Sequence, residues 1–315
     1  MGCAAAQRTS ATDIYRSIRN KTWSVGTMKL FKRGRSMSVL SGLPPLSDAS
    51  DRQQCTRRAR WDIVQGLLLW ELWTRVSLNE MRRRYKRTVL GPAWMTVSLL
   101  IFASAMSVVW ASLWNQKVSE FLPFLLSGLV PWTMIAGVIG EATAVFLGGE
   151  GLIKNQQFPY SILVYGTVAR NSLIFLHNLV GYFLVALICG VAITPAIFLL
   201  LPGMLLVVAN CVWICVLVAI FCLRFRDFQQ IVNSFIQIAV FITPIFWNAS
   251  QIQGKRAILV HANVLHHMVE LLRRPLLGEV PAATSYIVCA ITAVLGWWLA
   301  YYVLGSKRHR LPYWF

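Results

Sequence analysis

Apolar positions in this chain come in long runs separated by short polar breaks. The sharpest boundary is Arg82 to Arg87, where five cations fill six positions; from Thr88 to Asn115 no ionisable side chain occurs. A bilayer core about 30 Å thick needs about 20 apolar residues at 1.5 Å each, so this run predicts a spanning helix over 90–114. Lys/Arg-rich flanks stay on the cytosolic side, which orients that helix outward.

The same pattern repeats downstream. A second run covers Phe121 to Gly149, interrupted by Pro123, Pro131 and Glu141, and ends at the polar break Glu150 to Tyr160, cytosolic by parity. A third span is predicted over 164–193, with Arg170, His177 and Asn178 on one helix face, and a fourth over 197–222, closed by Arg224 to Asp227. The fifth, over 228–248, carries a polar stripe of Gln229, Gln230, Asn233, Ser234 and Gln237 before Thr243-Pro244. The stretch to Pro281 is too polar to span and too apolar for a plain loop. Leu265, Met268, Val269 and Leu272 recur there at helical spacing, which fits short re-entrant helices at the outer interface. The last span, over 283–304, stops at Lys307-Arg308-His309-Arg310, so both termini are cytosolic.

Upstream of Arg82, Val64, Leu68, Leu72 and Val76 form an i, i+4 row over 61–81. Asp62, Glu71, Arg75 and Glu80 would be costly in hydrocarbon, so an interfacial amphipathic helix fits better than a span. Residues 1–60 are basic and Ser/Thr-rich with no apolar period, and predict a weakly ordered or disordered cytosolic leader. Ala6 stands where a myristoylation pattern wants Ser or Thr, no apolar h-region follows for a secretory signal, and a true start at Met28 or Met37 would equally explain the leader. The expected fold is an all-α membrane protein: six transmembrane helices, an N-terminal interfacial amphipathic helix, and short outer re-entrant helices between spans 5 and 6. In domain terms this gives 1–60 as leader, 61–87 as interfacial helix and basic flank, 88–310 as the six-span unit and 311–315 as a cytosolic tail.

Composition agrees: 57% of the 315 residues are hydrophobic and 13% charged, with mean hydropathy +0.57. The formal net charge of +18 suggests nucleic acid until its distribution is considered: +6 lies in residues 1–50, +6 in 51–87 and +6 in the remaining 228. Two-thirds of the excess precedes the first span, where it meets anionic headgroups and fixes topology. Five of the seven cysteines lie in apolar runs, as buried thiols do, and Cys211, Cys215 and Cys222 share a helix face without His or carboxylate partners for a metal.

At this point the chain resembles the permease subunit of ABC-2 type exporters, in the branch moving polysaccharides or polyol phosphates such as O-antigen, capsule and teichoic acid across the bacterial inner membrane. The residues carrying the resemblance are Arg84-Tyr85-Lys86 with Leu90-Gly91-Pro92 and Trp94, then Gln157-Phe158-Pro159-Tyr160 and Arg226-Asp227. Thr243-Pro244-Ile245 and the His266 to Arg273 helix with Glu270 complete it, over roughly 61–310. The family has Asn-Pro-Leu before that helix; here it reads Asn263-Val264-Leu265. The resemblance implies a multi-pass homodimer seated on two cytosolic ABC ATPase subunits that bind the ATP and Mg. Its substrate would be a lipid-linked glycan, with membrane lipids around it and further envelope export partners. No cofactor is expected in this chain, which has no Gly-x-x-x-x-Gly-Lys-Ser/Thr loop; Gly148-Gly149-Glu150-Gly151 lacks its Lys-Ser/Thr end.

Three groups of site residues follow. Asn155, Gln156, Gln157, Phe158, Pro159 and Tyr160 form the expected ATPase-coupling segment, against the plainer reading of an inter-span turn. Arg84, Tyr85 and Lys86 fit either grip on a lipid diphosphate, through forked Arg donors, or positive-inside anchoring alone. Trp94, Phe102, Trp110, Trp114, Phe241, Phe246 and Trp247 either line a glycan path, since sugar C–H faces stack on rings, or serve as interfacial belt and packing. Glu141, Arg170 and His177 must pair or sit in a wet cavity, and a proton relay through them would make a secondary transporter, for which no inverted repeat is legible. Competing functions are an ABC-2 exporter of a drug or small lipid, an intramembrane transferase, whose acid and base residues the topology scatters, and a scaffold.

Overall fold

The computed structural model describes residues 52–85, 91, 93–155, 158–192, 194–248 and 257–315, and every regular element among them is helical. It opens with α1 (Arg52–Leu68) and α2 (Trp70–Tyr85), parted by a turn at Leu69. This corrects two expectations: the helix begins inside the stretch assigned to the leader, and the interfacial segment is a bent pair. Two anchors force the bend. Asp62 meets Ser161, and the Ser77 hydroxyl donates to the Gly166 carbonyl at 2.7 Å. A straight helix would carry the chain about 22 Å between those anchors, but their partners are only about 7.5 Å apart along one helix. The row Val64, Leu68, Leu72 and Val76 is left exposed along the pair.

Next come α3 (Ala93–Leu113), α4 (Val118–Ala142), the short α5 (Val145–Gly148) and α6 (Glu150–Asn155), and then α7 (Ser161–Cys189). After a 3-10 turn at Pro195–Leu199 follow α8 (Leu200–Arg224), α9 (Phe228–Ile242), α10 (Ala257–His261), α11 (Val264–Leu276) and α12 (Ala283–Lys307), closed by a 3-10 turn at Arg308–Tyr313. Five of these, α3, α4, α7, α8 and α12, are long and apolar enough to cross a membrane. The expected fifth span is shorter than its apolar run. Pro244 has no N–H and drives Thr243 into an extended conformation (φ −77°, ψ 130°), ending α9 at Ile242. Its 15 residues rise about 22 Å, short of a core of about 30 Å.

Centre and periphery separate clearly: 72% of the most apolar window of α4 is buried, against 17% for α3. The residues buried on α3 are Ala103, Ser107 and Ala111, a small-residue stripe at i, i+4 that lets its backbone approach α4. Two buried amides tie helices together. Asn210, with no exposed surface, donates to the carbonyls of Leu206 and Cys289 and accepts from Trp213 and Thr292, tying α8 to α12. Asn178 accepts from Thr96 and donates to Thr133, joining α7 to α3 and α4.

Helix ends follow local chemistry. Gly190 caps α7 at φ 73°, where a Cβ would be strained, and Asn263 caps α11 by accepting the Leu265 N–H at 3.0 Å. Asn263 also donates to Thr243 at 3.1 Å, which ties the entry of α11 to the end of α9. Below, Gly203 lies so near the Leu271 carbonyl that a Cβ would come within 2.8 Å of its oxygen. Since that neighbour is backbone, Gly203→Ala is expected to push α8 and α11 apart and cost about 1–3 kcal/mol, read as a lower thermal midpoint of the purified protein in detergent.

Candidate functional site

The segment Phe158-Pro159-Tyr160 sits on a buried ionic clasp. Asp62 on α1 has no exposed surface, and its two carboxylate oxygens accept the N–H groups of Tyr160 at 3.0 Å and Ser161 at 2.9 Å, an anion at the N-terminus of α7. Arg308 donates from Nε to the same carboxylate at 2.6 Å and from a terminal nitrogen to the Phe158 carbonyl at 3.2 Å. Its guanidinium also lies 4.7 Å from the Tyr160 ring centre and 5.3 Å from that of Trp61. Burial raises the Tyr160 phenol above its ordinary value, with Arg308 opposing. Beyond Arg308 the chain end folds back: Trp314 covers the Arg224 guanidinium and Phe315 the Lys154 ammonium. Of the expected coupling residues, Asn155 ends α6, Gln156 and Gln157 lie outside the described residues, and Phe158, Pro159 and Tyr160 are gathered here.

Asp62 and Arg308 were missed as a pair by sequence reasoning. Asp62 falls about 200° around α1 from Val64, a sign that it faces protein, but nothing in the text names a partner so distant in the chain.

A second ionic group lies where α4 ends. Arg170 donates to Glu141 at 2.6 Å and also pairs with Glu80 on α2, while Asn171 donates to the same Glu141 oxygen at 2.8 Å. The expected pairing of Glu141 with Arg170 holds, but His177 is not part of it. That ring is exposed and bonds to the Leu173 carbonyl of its own helix at 3.0 Å, so no relay links the three. Of the expected headgroup residues, Arg84 and Tyr85 close α2, and Lys86 lies outside the described residues.

At the opposite end, rings from α3 and the turn after α9 meet. Trp110 stacks on Phe246 with centres 6.1 Å apart, Phe246 on Phe241 at 5.7 Å, and Trp110 packs on Trp114 at 5.1 Å. Trp247 donates to the Phe241 carbonyl at 3.1 Å, and the chain of rings continues through Phe121 to Phe124. Trp94 and Phe102 lie elsewhere, exposed along α3. The buried Arg273 of α11 anchors this end: it stacks 3.8 Å from the Phe124 ring centre and donates to the carbonyls of Pro244 at 2.6 Å and Phe124 at 3.2 Å. Thr243-Pro244-Ile245 and the His266 to Arg273 helix, separate in sequence, thus form one unit.

Comparison with known proteins decides the kind of machine. A family model described as ABC-2 type transporter matches residues 71–277. The chain belongs to the ABC-2 type transporter family. This ABC-2 protein is therefore a multi-pass membrane transport subunit and not an enzyme, and its family implies an ABC ATPase partner. It is 23% identical over 235 residues to an O-antigen export system permease protein RfbA of Klebsiella pneumoniae, covering 72% of this chain and 90% of that protein. It is 24% identical over 238 residues to one so named from Myxococcus xanthus, covering 73% and 90%. Asp62 and Arg308 of this ABC-2 chain both lie outside the family match.

Two outcomes are expected. Asp62→Ala and Arg308→Ala should each cost about 3–5 kcal/mol of stability, read as a lower thermal midpoint, and the double variant less than their sum, because either alone strands a buried charge. Additive losses in that cycle would show that the two do not act as a pair. Burial pushes His266 of α11 down to about 4 from 6.5, with Glu270 opposing. The folded state keeps it neutral while the unfolded chain protonates, so its contribution is complete above about pH 6.5 and lost as pH falls toward 4. Thermal midpoints measured over that window should fall, and fall less in His266→Gln.

Proposed function

We propose that this chain is the transmembrane subunit of an ATP-driven exporter of a lipid-linked polysaccharide, of O-antigen or capsular type, in the bacterial inner membrane. The observation that carries the reading is the similarity to O-antigen export permeases over 72–73% of the chain. The outer ring chain from Phe241 to Phe124 supports it, since stacked aromatic faces suit sugar C–H surfaces. Two copies would stand on two ABC ATPase subunits that hold the ATP and Mg. The thinly covered faces of α3 and α9, with Trp94, Phe102 and Phe241 exposed, would then line the path between copies, together with Trp110, Trp114, Phe246 and Trp247.

Orientation follows from charge. The Tyr160 end carries Arg60, Lys154, Arg224, Arg226, Lys307, Arg308 and Arg310 against Asp62, Glu150 and Asp227, while the Trp114 end balances Lys117, Arg273 and Arg274 with Glu120, Glu270 and Glu279. The first is the cytosolic end by the positive-inside rule. With α9 as a short sixth span, both termini are cytosolic, and α10 and α11 are re-entrant at the outer face. In this reading Asn155 to Tyr160 serve as the ATPase-coupling segment, and Arg84, Tyr85 and Lys86 as the grip on a lipid diphosphate.

Co-expression with an ABC ATPase, purification and ATPase assay in the presence of lipid-linked glycan test this reading. Glycan-stimulated hydrolysis is expected in the wild-type complex. Phe158→Ala should insert and assemble but lose at least about 10-fold in stimulation, as expected for loss of one buried interface anchor. Wild-type stimulation in that variant removes the coupling role, and stimulation by a drug-like lipid instead of glycan removes the substrate.

A further inference from the structure

A cavity of about 620 Å³ opens between the α1–α2 pair and the facing sides of α7, α8 and α12. A second, of about 340 Å³, continues it, the two sharing Ile63 and Trp297. No residue of α3 or α9 lines either, so the space stands apart from the ring chain and from the path proposed between copies. It also lies within the size range, about 300–1,000 Å³, of small-molecule sites.

The walls are dry for a specific reason. Each hydroxyl at their surface already donates to a carbonyl: Thr74 to Trp70, Ser77 to Trp73 and Gly166, Ser172 to Val168, Tyr165 to Ile63. What remains is hydrocarbon, and a water there would lack the two to four polar partners it needs. Along α7 the wall runs from Tyr165 to Leu176, eleven residues or about 16 Å of rise. Half of a bilayer core of about 30 Å is about the same depth, so the cavity has the height of the acyl region of one leaflet.

Its mouth is polar in a way its wall is not. Arg60 lines the smaller cavity, next to Tyr301, whose hydroxyl donates to the Thr56 carbonyl at 2.7 Å. A cation at the rim of an apolar slot one leaflet deep matches the order of groups in an anionic phospholipid, phosphate and then acyl chain.

We propose that this is a binding site for one anionic diacyl phospholipid from the leaflet at the Tyr160 end. The acyl chain fills the slot against α7 and α8, and the phosphate meets Arg60 at its rim. A bound lipid then completes the seat of α1 and α2 on the spans, filling the apolar gap their own side chains leave. The proposal needs the chain to lie in a bilayer and is independent of what is exported.

The test uses the permease with its ATPase partner, reconstituted in vesicles of phosphatidylethanolamine and phosphatidylglycerol, extracted in mild detergent and weighed by native mass spectrometry. One phosphatidylglycerol per permease chain is expected to survive extraction. Arg60→Gln should reduce the preference for phosphatidylglycerol over phosphatidylethanolamine about five-fold, the effect of one headgroup-facing cation. Ala169→Trp and Leu176→Trp, which fill the slot, should remove the adduct while the complex stays assembled. Leu176 is half exposed, so its variant decides the matter even where Ala169→Trp fails to fold. No surviving adduct, equal adducts in wild type and Leu176→Trp (annular lipid only), or a polyprenyl phosphate as the adduct would each overturn the proposal.

Discussion

Asp62, a carboxylate with no exposed surface, binds three segments that the chain keeps far apart: the helix before the spans, the turn into α7 and the turn after α12. Burying a carboxylate is expensive, and a pair with Arg308 alone would hardly offset the desolvation. The two backbone N–H groups at the start of α7 and its positive helix end complete the solvation of this anion. Because so many partners must arrive together, the clasp fixes geometry more than it adds stability. The Phe158 to Tyr160 segment can hardly move without disturbing both α1 and the chain end.

The bundle has a polar joint at each end and a dry middle. At the Tyr160 end stand the Asp62–Arg308 clasp and the Glu141–Arg170–Glu80 group, and at the other Arg273 ties the turn after α9 to α4 and α11. Between them the contacts are small residues, apolar packing and saturated amides such as Asn210. A push on either joint therefore meets closely packed helices rather than a deformable core.

The thin cover of α3 and α9 and the slot under α1 and α2 differ in chemistry. The first carries rings and a polar stripe; the second offers saturated hydroxyls, aliphatic walls and one arginine at the rim.

Runs of apolar residues against cationic stops located five long helices to within a few residues, because in a bilayer every backbone group must be satisfied inside its own segment and hydropathy alone marks the boundary. Ring positions Trp110, Trp114, Phe246 and Trp247 and the segment ending at Tyr160 were legible as residues, since rings and prolines stand out in any text. The bend between α1 and α2 was not: it depends on where Ser161 and Gly166 come to lie, which no periodicity encodes. Nor was the early stop of α9, where one proline outweighs six further residues of apolar run. Sequence by itself determined that this is a multi-pass membrane protein and where its five long apolar helices lie, because partition into hydrocarbon is a local property. Only the tertiary structure decided that Asp62 meets Arg308 and that His177 stands apart from Arg170, because pairing of buried charges is set by three-dimensional neighbours.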